Sequence, residues 1–197
     1  MDAWKNLGIS ADADVVLLAQ FDDPEAAGGA AADRMLAVFE QCGATYAARS
    51  SDAAESARLF SARRLAYPAV ARLGPVLTED VCVPIARVAE MLERIEEIAQ
   101  RNQITIANIA HAGDGNLHPL LITDAGDEAA RARAETAYHE ILSYALEVGG
   151  TVTGEHGIGL LRREGFKAEV TPELMAMHRA VRLALDPAQI LNPGKVC

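Results

Sequence analysis

Two apolar runs, 104–109 (ITIANI) and 117–122 (LHPLLI), flank a loop containing Asp114-Gly115-Asn116. That combination predicts two antiparallel strands joined by a tight reversal, since Asp-Gly supplies the backbone angles a hairpin turn needs. Parallel neighbours would need a crossover of a dozen or more residues, and the gap is too short for one. An all-parallel α/β sheet is therefore excluded, and every other element has to be arranged around a hairpin.

The rest of the chain alternates apolar runs with helical patterns. Residues 14–21 (DVVLLAQF) read as a buried strand, followed by a helix opening near Pro24 and closing at Gly43, then a second strand over 45–49. Ser51 is the expected N-cap of an Ala-rich helix running towards Leu73, with a kink or break at Pro68. Residues 77–84 (LTEDVCVP) return to strand character. In 85–103, Val88, Met91, Leu92, Ile95 and Ile98 fall on one face of an amphipathic helix. Further helices are expected over 127–148, stopped by Gly149-Gly150, and over 172–185, with a short strand at 151–153 between them. The order predicts an α+β fold with an antiparallel or mixed sheet and helices over one face. Two ferredoxin-like halves are one such arrangement, although no sequence repeat marks a duplication.

A length of 197 residues suits one domain with a real core, and half of the residues are hydrophobic. The formal charge of -10 argues against a nucleic-acid partner, because phosphate binding draws on clustered Lys and Arg and no basic stripe is present. Cys42, Cys82 and Cys197 form no CxxC pair, so neither a disulfide framework nor a thiolate zinc cluster is expected. The N-terminal residues lack a signal layout, and no apolar run reaches the roughly 18 residues of a membrane span. The expectation is a cytoplasmic protein with no transmembrane segment.

The hairpin also carries chemistry. His111 and His118 stand at its two ends, where residues opposite each other place Cβ atoms about 4.5 to 5.5 Å apart, close enough for both rings to reach one ion. Edge-strand histidines beside an ordinary turn would explain the hairpin alone. A third candidate ligand lies in 151–159 (TVTGEHGIG), where Glu155 and His156 sit among three glycines, a loop costly to order without a purpose. Two histidines and a carboxylate suit catalytic zinc, and equally Fe(II) or Mn(II). Glu155 is assigned to the metal and His156 to general-base work. His139 and His178 fall within helical patterns and read as surface or packing residues.

Residues 111–118 (HAGDGNLH), 150–159 (GTVTGEHGIG) and 186–195 (DPAQILNPGK) resemble, in order and separation, three signature segments of the C-terminal (cap) domain of FAD-linked oxidases. The family includes the glycolate oxidase flavoprotein subunit, D-lactate dehydrogenase and D-2-hydroxyglutarate dehydrogenase. A fourth segment, Arg63 and Arg64 through Pro68 to Glu79, Asp80 and Pro84, resembles it as well, so essentially the whole chain is covered. The resemblance implies a single cap domain over 1–197 that closes over FAD held by an N-terminal FAD-binding domain or flavoprotein subunit, with a small 2-hydroxy acid between them. It further implies that His111, His118 and Glu155 bind a divalent metal, zinc first with Mn or Fe as alternatives. His156 would take the hydroxyl proton, and Arg63, with Arg64 as a competitor, would pair with the substrate carboxylate.

Two departures from the pattern bear on substrate. A lysine serving the second carboxylate in hydroxyglutarate-type members stands as Thr78, and an asparagine two positions beyond the second hairpin histidine is Leu120. A glycolate- or D-lactate-like monocarboxylate is the expectation. No GxGxxG turn is present, so the chain alone is expected to be inactive in redox. A free-standing metal-binding module acting in trans on a flavoprotein is the alternative reading.

Overall fold

The computed structural model describes residues 13–196, apart from the side chain of Glu25. Two compact units divide the chain, Met1–Ala69 and Val70–Cys197.

The first unit carries helices α1 (Glu25–Gln41) and α2 (Ala53–Val70). Pro24, at φ -51°, occupies the N-cap position of α1. At the start of α2 it is Asp52, not Ser51, that caps: its Oδ1 accepts the Glu55 N–H at 2.8 Å, while Glu55 Oε2 reaches back to the Ser51 N–H at 2.6 Å. This resembles a capping box whose return bond is shifted one residue outward, from Asp52 to Ser51. The helix runs through Pro68 instead of breaking there and ends two residues later. The strands expected over 14–21 and 45–49 are not formed; both segments stay outside any ladder. A strand exists only through its pairing, and here Val15, Val16 and Leu17 remain 58 to 65% exposed. The strands a second ferredoxin-like half would need are thus absent among the described residues.

The second unit holds an antiparallel sheet built from β1 (Val76–Thr78), β2 (Val81–Cys82), β3 (Thr105–His111) and β4 (Asn116–Ile122). The hairpin and the α+β class are as expected, and the sheet is antiparallel throughout. β4 is central, with β3 on one side and β1 and β2 both on the other. β1 and β2 keep one register against β4, from Val76 opposite Ile122 to Cys82 opposite Asn116, so Glu79 and Asp80 fall level with Pro119 and His118. The strand is interrupted at that point for a chemical reason. The Glu79 N–H donates to the Pro119 carbonyl at 2.9 Å, but proline has no N–H to return the bond.

One face of the sheet packs under helices α3 (Val88–Asn102) and α4 (Glu128–Glu147). Leu117 and Leu121 of β4 meet Met91, Ile95 and Ile98 of α3 and Ala137, Ile141 and Ala145 of α4, all at most 1% exposed. The alanines let α4 approach closely, while each buried Leu, Ile or Met contributes about 1.5–3 kcal/mol of transfer free energy. A 3-10 turn, Ile85–Arg87, precedes α3, and Asp127 caps α4 by accepting the Ala130 N–H at 3.0 Å. Two further helices close the chain. α5 (Arg163–Glu169) was not anticipated from the sequence; α6 (Pro172–Leu185) keeps the predicted bounds, with the Thr171 hydroxyl accepting from Leu174 N–H. The expected strand at 151–153 shrinks to one bridge between Thr151 and Cys82, because the next N–H, that of Val152, turns to the Glu169 carboxylate at 2.9 Å instead of a neighbouring strand. No helix among the described residues is long and apolar enough to cross a membrane.

Candidate metal and proton-transfer site

The sheet face opposite α3 and α4 carries the histidines. His111 is opposite Asn116, and His118 is opposite Ile109, so the two imidazoles are diagonal neighbours on one face and not directly opposed as the sequence reading placed them. The four-residue turn 112–115 moves the register by that much. Their rings still meet, edge to face, with centroids 5.5 Å apart. Gly115 makes this possible. It sits at φ +75°, its carbonyl accepts the Val83 N–H at 2.9 Å, and a Cβ there would lie 2.1 Å from the Val83 carbonyl oxygen.

The loop 153–156 brings the third and fourth groups. Glu155 Oε1 lies 3.2 Å from His118 Nε2, 3.6 Å from His111 Nε2 and 3.6 Å from His156 Nε2. One carboxylate oxygen therefore faces three imidazole nitrogens. His156 also stacks on His118, centroids 4.8 Å apart and planes 12° from parallel. Both members of the Glu155-His156 pair thus face the cluster. Gly154 lets the loop lie on the buried Asn116, whose side chain would be 2.4–2.6 Å from any Cβ at that position.

Asp80, fully buried, holds the loop in place. Its Oδ2 accepts from the Thr153 hydroxyl at 2.7 Å and from the N–H groups of Gly154, Glu155 and His156 at 3.0, 3.0 and 2.8 Å. Burial pushes the Asp80 carboxyl up, but the His156 N–H, the Thr153 hydroxyl and the Glu155 N–H outweigh it and hold the pKa below the usual carboxylate value. For His118, burial dominates and holds the imidazole below its ordinary value, against the pull of Asp80. The neutral ring is the form that ligates a metal.

Beneath this face lies a second buried group. Glu79, one residue from Asp80 and so on the α4 side of the sheet, is fully buried with Arg162 Nη2 at 3.4 Å from its Oε2. Arg162 Nη1 donates to the Gly157 carbonyl at 2.9 Å, fastening the far end of the loop. Burial pushes the Glu79 carboxyl up to about 8, with Arg162 opposing. Neither Asp80 nor the Glu79–Arg162 pair was given a role from the sequence. The available signal was a Glu-Asp pair inside the apolar run 77–84, where two charges are costly to bury unless partnered.

The donor set fits a divalent ion. One ligand atom from each of His111, His118 and Glu155 lies within 4.8 Å of the others. Ligands about 2.0–2.2 Å from a tetrahedral zinc are roughly 3.3–3.6 Å from one another, close to the 3.2 and 3.6 Å separations that Glu155 Oε1 keeps from the two imidazoles. Asp80, His118 and His156 form a second such group that shares His118. Arg63 stands exposed on α2 in the first unit. His139 and His178 pack as expected, His139 on Tyr138 and His178 edge-on to Phe166.

Comparison with known proteins places this geometry in a lineage. The FAD linked oxidases, C-terminal domain, match residues 1–196. The chain belongs to that family. It is 36% identical over 189 residues to the glycolate oxidase subunit GlcD of Escherichia coli K12, covering 95% of this chain and 38% of that protein. It is 35% identical over 197 residues to glycolate oxidase subunit GlcD of Bacillus subtilis, covering 100% of this chain and 42% of that protein. A D-lactate dehydrogenase of Archaeoglobus fulgidus is 36% identical over 143 residues, 71% of this chain and 30% of that protein. The chain spans about two fifths of the length of the glycolate oxidase relatives. Thr78 and Leu120, the two departures noted in the sequence, are cross-strand partners on the histidine face.

Proposed function

We propose that this chain is the substrate- and metal-binding part of an FAD-dependent 2-hydroxy acid dehydrogenase or oxidase, with residues 1–197 forming one C-terminal domain and FAD held by an N-terminal domain or flavoprotein subunit. The observation that carries it is the convergence of His111, His118 and His156 on one oxygen of Glu155. His111, His118 and Glu155 would hold a divalent metal, zinc first among the candidates, which when bound supplies Lewis-acid polarisation of a 2-hydroxyl and its carboxylate. His156, 43% exposed at its side chain and beside the ligands, takes the hydroxyl proton on its ring nitrogen. FAD, held mainly by that N-terminal domain or subunit, would when bound supply the acceptor for the hydride of the α-carbon. Arg63 receives the substrate carboxylate as a bidentate guanidinium partner.

A small monocarboxylate such as glycolate or D-lactate is the substrate class we assign. Support comes from the Thr78–Leu120 pair, which offers a second carboxylate no cation, and from the glycolate oxidase and D-lactate dehydrogenase relatives. We assign the chain to the cytoplasm, on its cysteine pattern. Metal analysis of the purified chain tests the reading, with His111→Ala and Glu155→Ala alongside. Wild type should carry near-stoichiometric metal and both variants little; equal, trace contents in all three would refute it. In the longer protein, chelation and His156→Ala should each abolish turnover while the flavin absorbance stays.

A further inference from the structure

We propose that Asp80 is the positioning residue of the site: one oxygen gathers the Glu155-His156 loop, and the other fixes the tautomer of His118 so that Nε2 is left bare for the metal. The inference rests on the metal-site reading above and adds a residue that the reading does not use.

Four donors meet Oδ2, three of them successive backbone N–H groups of residues 154–156. Consecutive N–H groups curved around one point form an anion nest, and here the anion is a side chain of the protein itself. The Thr153 hydroxyl that donates to Asp80 also accepts the Gly157 N–H at 2.9 Å, so the ring of bonds closes across the loop. The loop conformation that presents Glu155 and His156 is thereby tied to a residue on the sheet.

Oδ1 has no hydrogen-bond partner, and neither has Nδ1 of His118. Both atoms are buried, and they lie 3.6 Å apart. Their residues are level across the β2 side of β4, so the strand backbone sets the approach. A carboxylate accepts at each ring nitrogen, Asp80 Oδ1 at Nδ1 and Glu155 Oε1 at Nε2, and burial decides between them. Oδ1 and Nδ1 are buried with no other partner, while the Glu155 side chain is 52% exposed and open to solvent, so Nδ1–H is the favoured state and the lone pair is left on Nε2. Metal-binding histidines characteristically donate their second N–H to such a group, and loss of that partner typically costs 10–100-fold in metal affinity. Apo separations of this kind tighten when the ligand arrives.

The discriminating variant is Asp80→Asn. Its Oδ1 can still serve the loop donors, but its NH₂ donates towards His118 Nδ1 and drives the ring proton to Nε2. A purely structural anchor would tolerate that change. Two readouts apply to the full chain: zinc affinity by competition with a chromophoric chelator, and the ¹⁵N imidazole shifts of metal-free protein, with His118 assigned by its absence in His118→Gln. Wild type should show His118 as the Nδ1–H tautomer. Asp80→Asn should retain the wild-type far-UV spectrum, bind zinc about 10–100-fold more weakly and show the Nε2–H tautomer. Thr153→Val, which removes a loop bond and leaves Oδ1 alone, should keep the wild-type tautomer. Unchanged zinc affinity in Asp80→Asn overturns the proposal, and so does an Nε2–H tautomer in the wild type, which needs no variant to fold. Absence of zinc binding by the wild type would instead overturn the metal-site reading, while the tautomer measurement would still judge Asp80.

Discussion

Replacing Glu79 by glutamine should make the protein more stable in alkali, and the reason is a buried carboxyl. Glu79 is fully buried, neither carboxylate oxygen has a hydrogen-bond partner, and its nearest cation, Arg162, is 3.4 Å away. Burial raises its pKa from 4.5 to about 8. The folded state therefore binds a proton between those values that the unfolded chain has already released, so stability falls as pH rises through this window. At about 1.36 kcal/mol per pH unit, the full penalty is on the order of 5 kcal/mol by pH 8. Glutamine has the same size and no charge to lose. Urea unfolding followed by far-UV circular dichroism at about pH 5, 6.5 and 8, which spans the linkage window, should show wild type and Glu79→Gln nearly equal at the acid end. The variant should then gain several kcal/mol at the alkaline end, on the order set by the linkage relation. If Glu79 were instead an ionised partner whose bond to Arg162 sustains the fold, the variant would lose about 3–5 kcal/mol and lose it most at high pH. That sign would refute the reasoning.

Other perturbations have equally definite outcomes. Gly115→Ala places a Cβ 2.1 Å from the Val83 carbonyl at a positive φ, and should cost at least about 1–2 kcal/mol from the backbone alone, with weaker metal binding as the hairpin register shifts; thermal melts and zinc titration check both. Ile95→Ala, in the α3 core contact at 0% exposure, should cost about 2–5 kcal/mol in denaturant unfolding. Thr171→Ala removes the α6 cap bond from Leu174 N–H and should cost about 1 kcal/mol, measurable as faster amide exchange in the first turn of that helix. A zinc-loaded chain should melt higher than the metal-free one, by an amount that grows with free zinc; identical melting curves would count against the site.

The local sequence determined the elements whose signals are local. Periodicity placed α3, helix start and stop signals placed α6, Asp-Gly placed the reversal between β3 and β4, and the glycine-rich settings of His111, His118, Glu155 and His156 marked them as candidates. Each of those readings needs only near neighbours along the chain. Tertiary structure alone decided the rest. Residues 14–21 have strand composition but take no ladder, because pairing depends on a distant partner that composition cannot name. The two histidines came out diagonal because a four-residue turn set the register, which a one-residue change would have altered. Asp80 reads in sequence as one acid in the run 77–84. It becomes the organiser of the site only because Pro119 interrupts the ladder beside it and the 153–156 loop, some seventy residues later, wraps its N–H groups around the carboxylate. Long-range hydrogen bonds of that kind leave no period and no spacing in the chain, so only the folded protein records them.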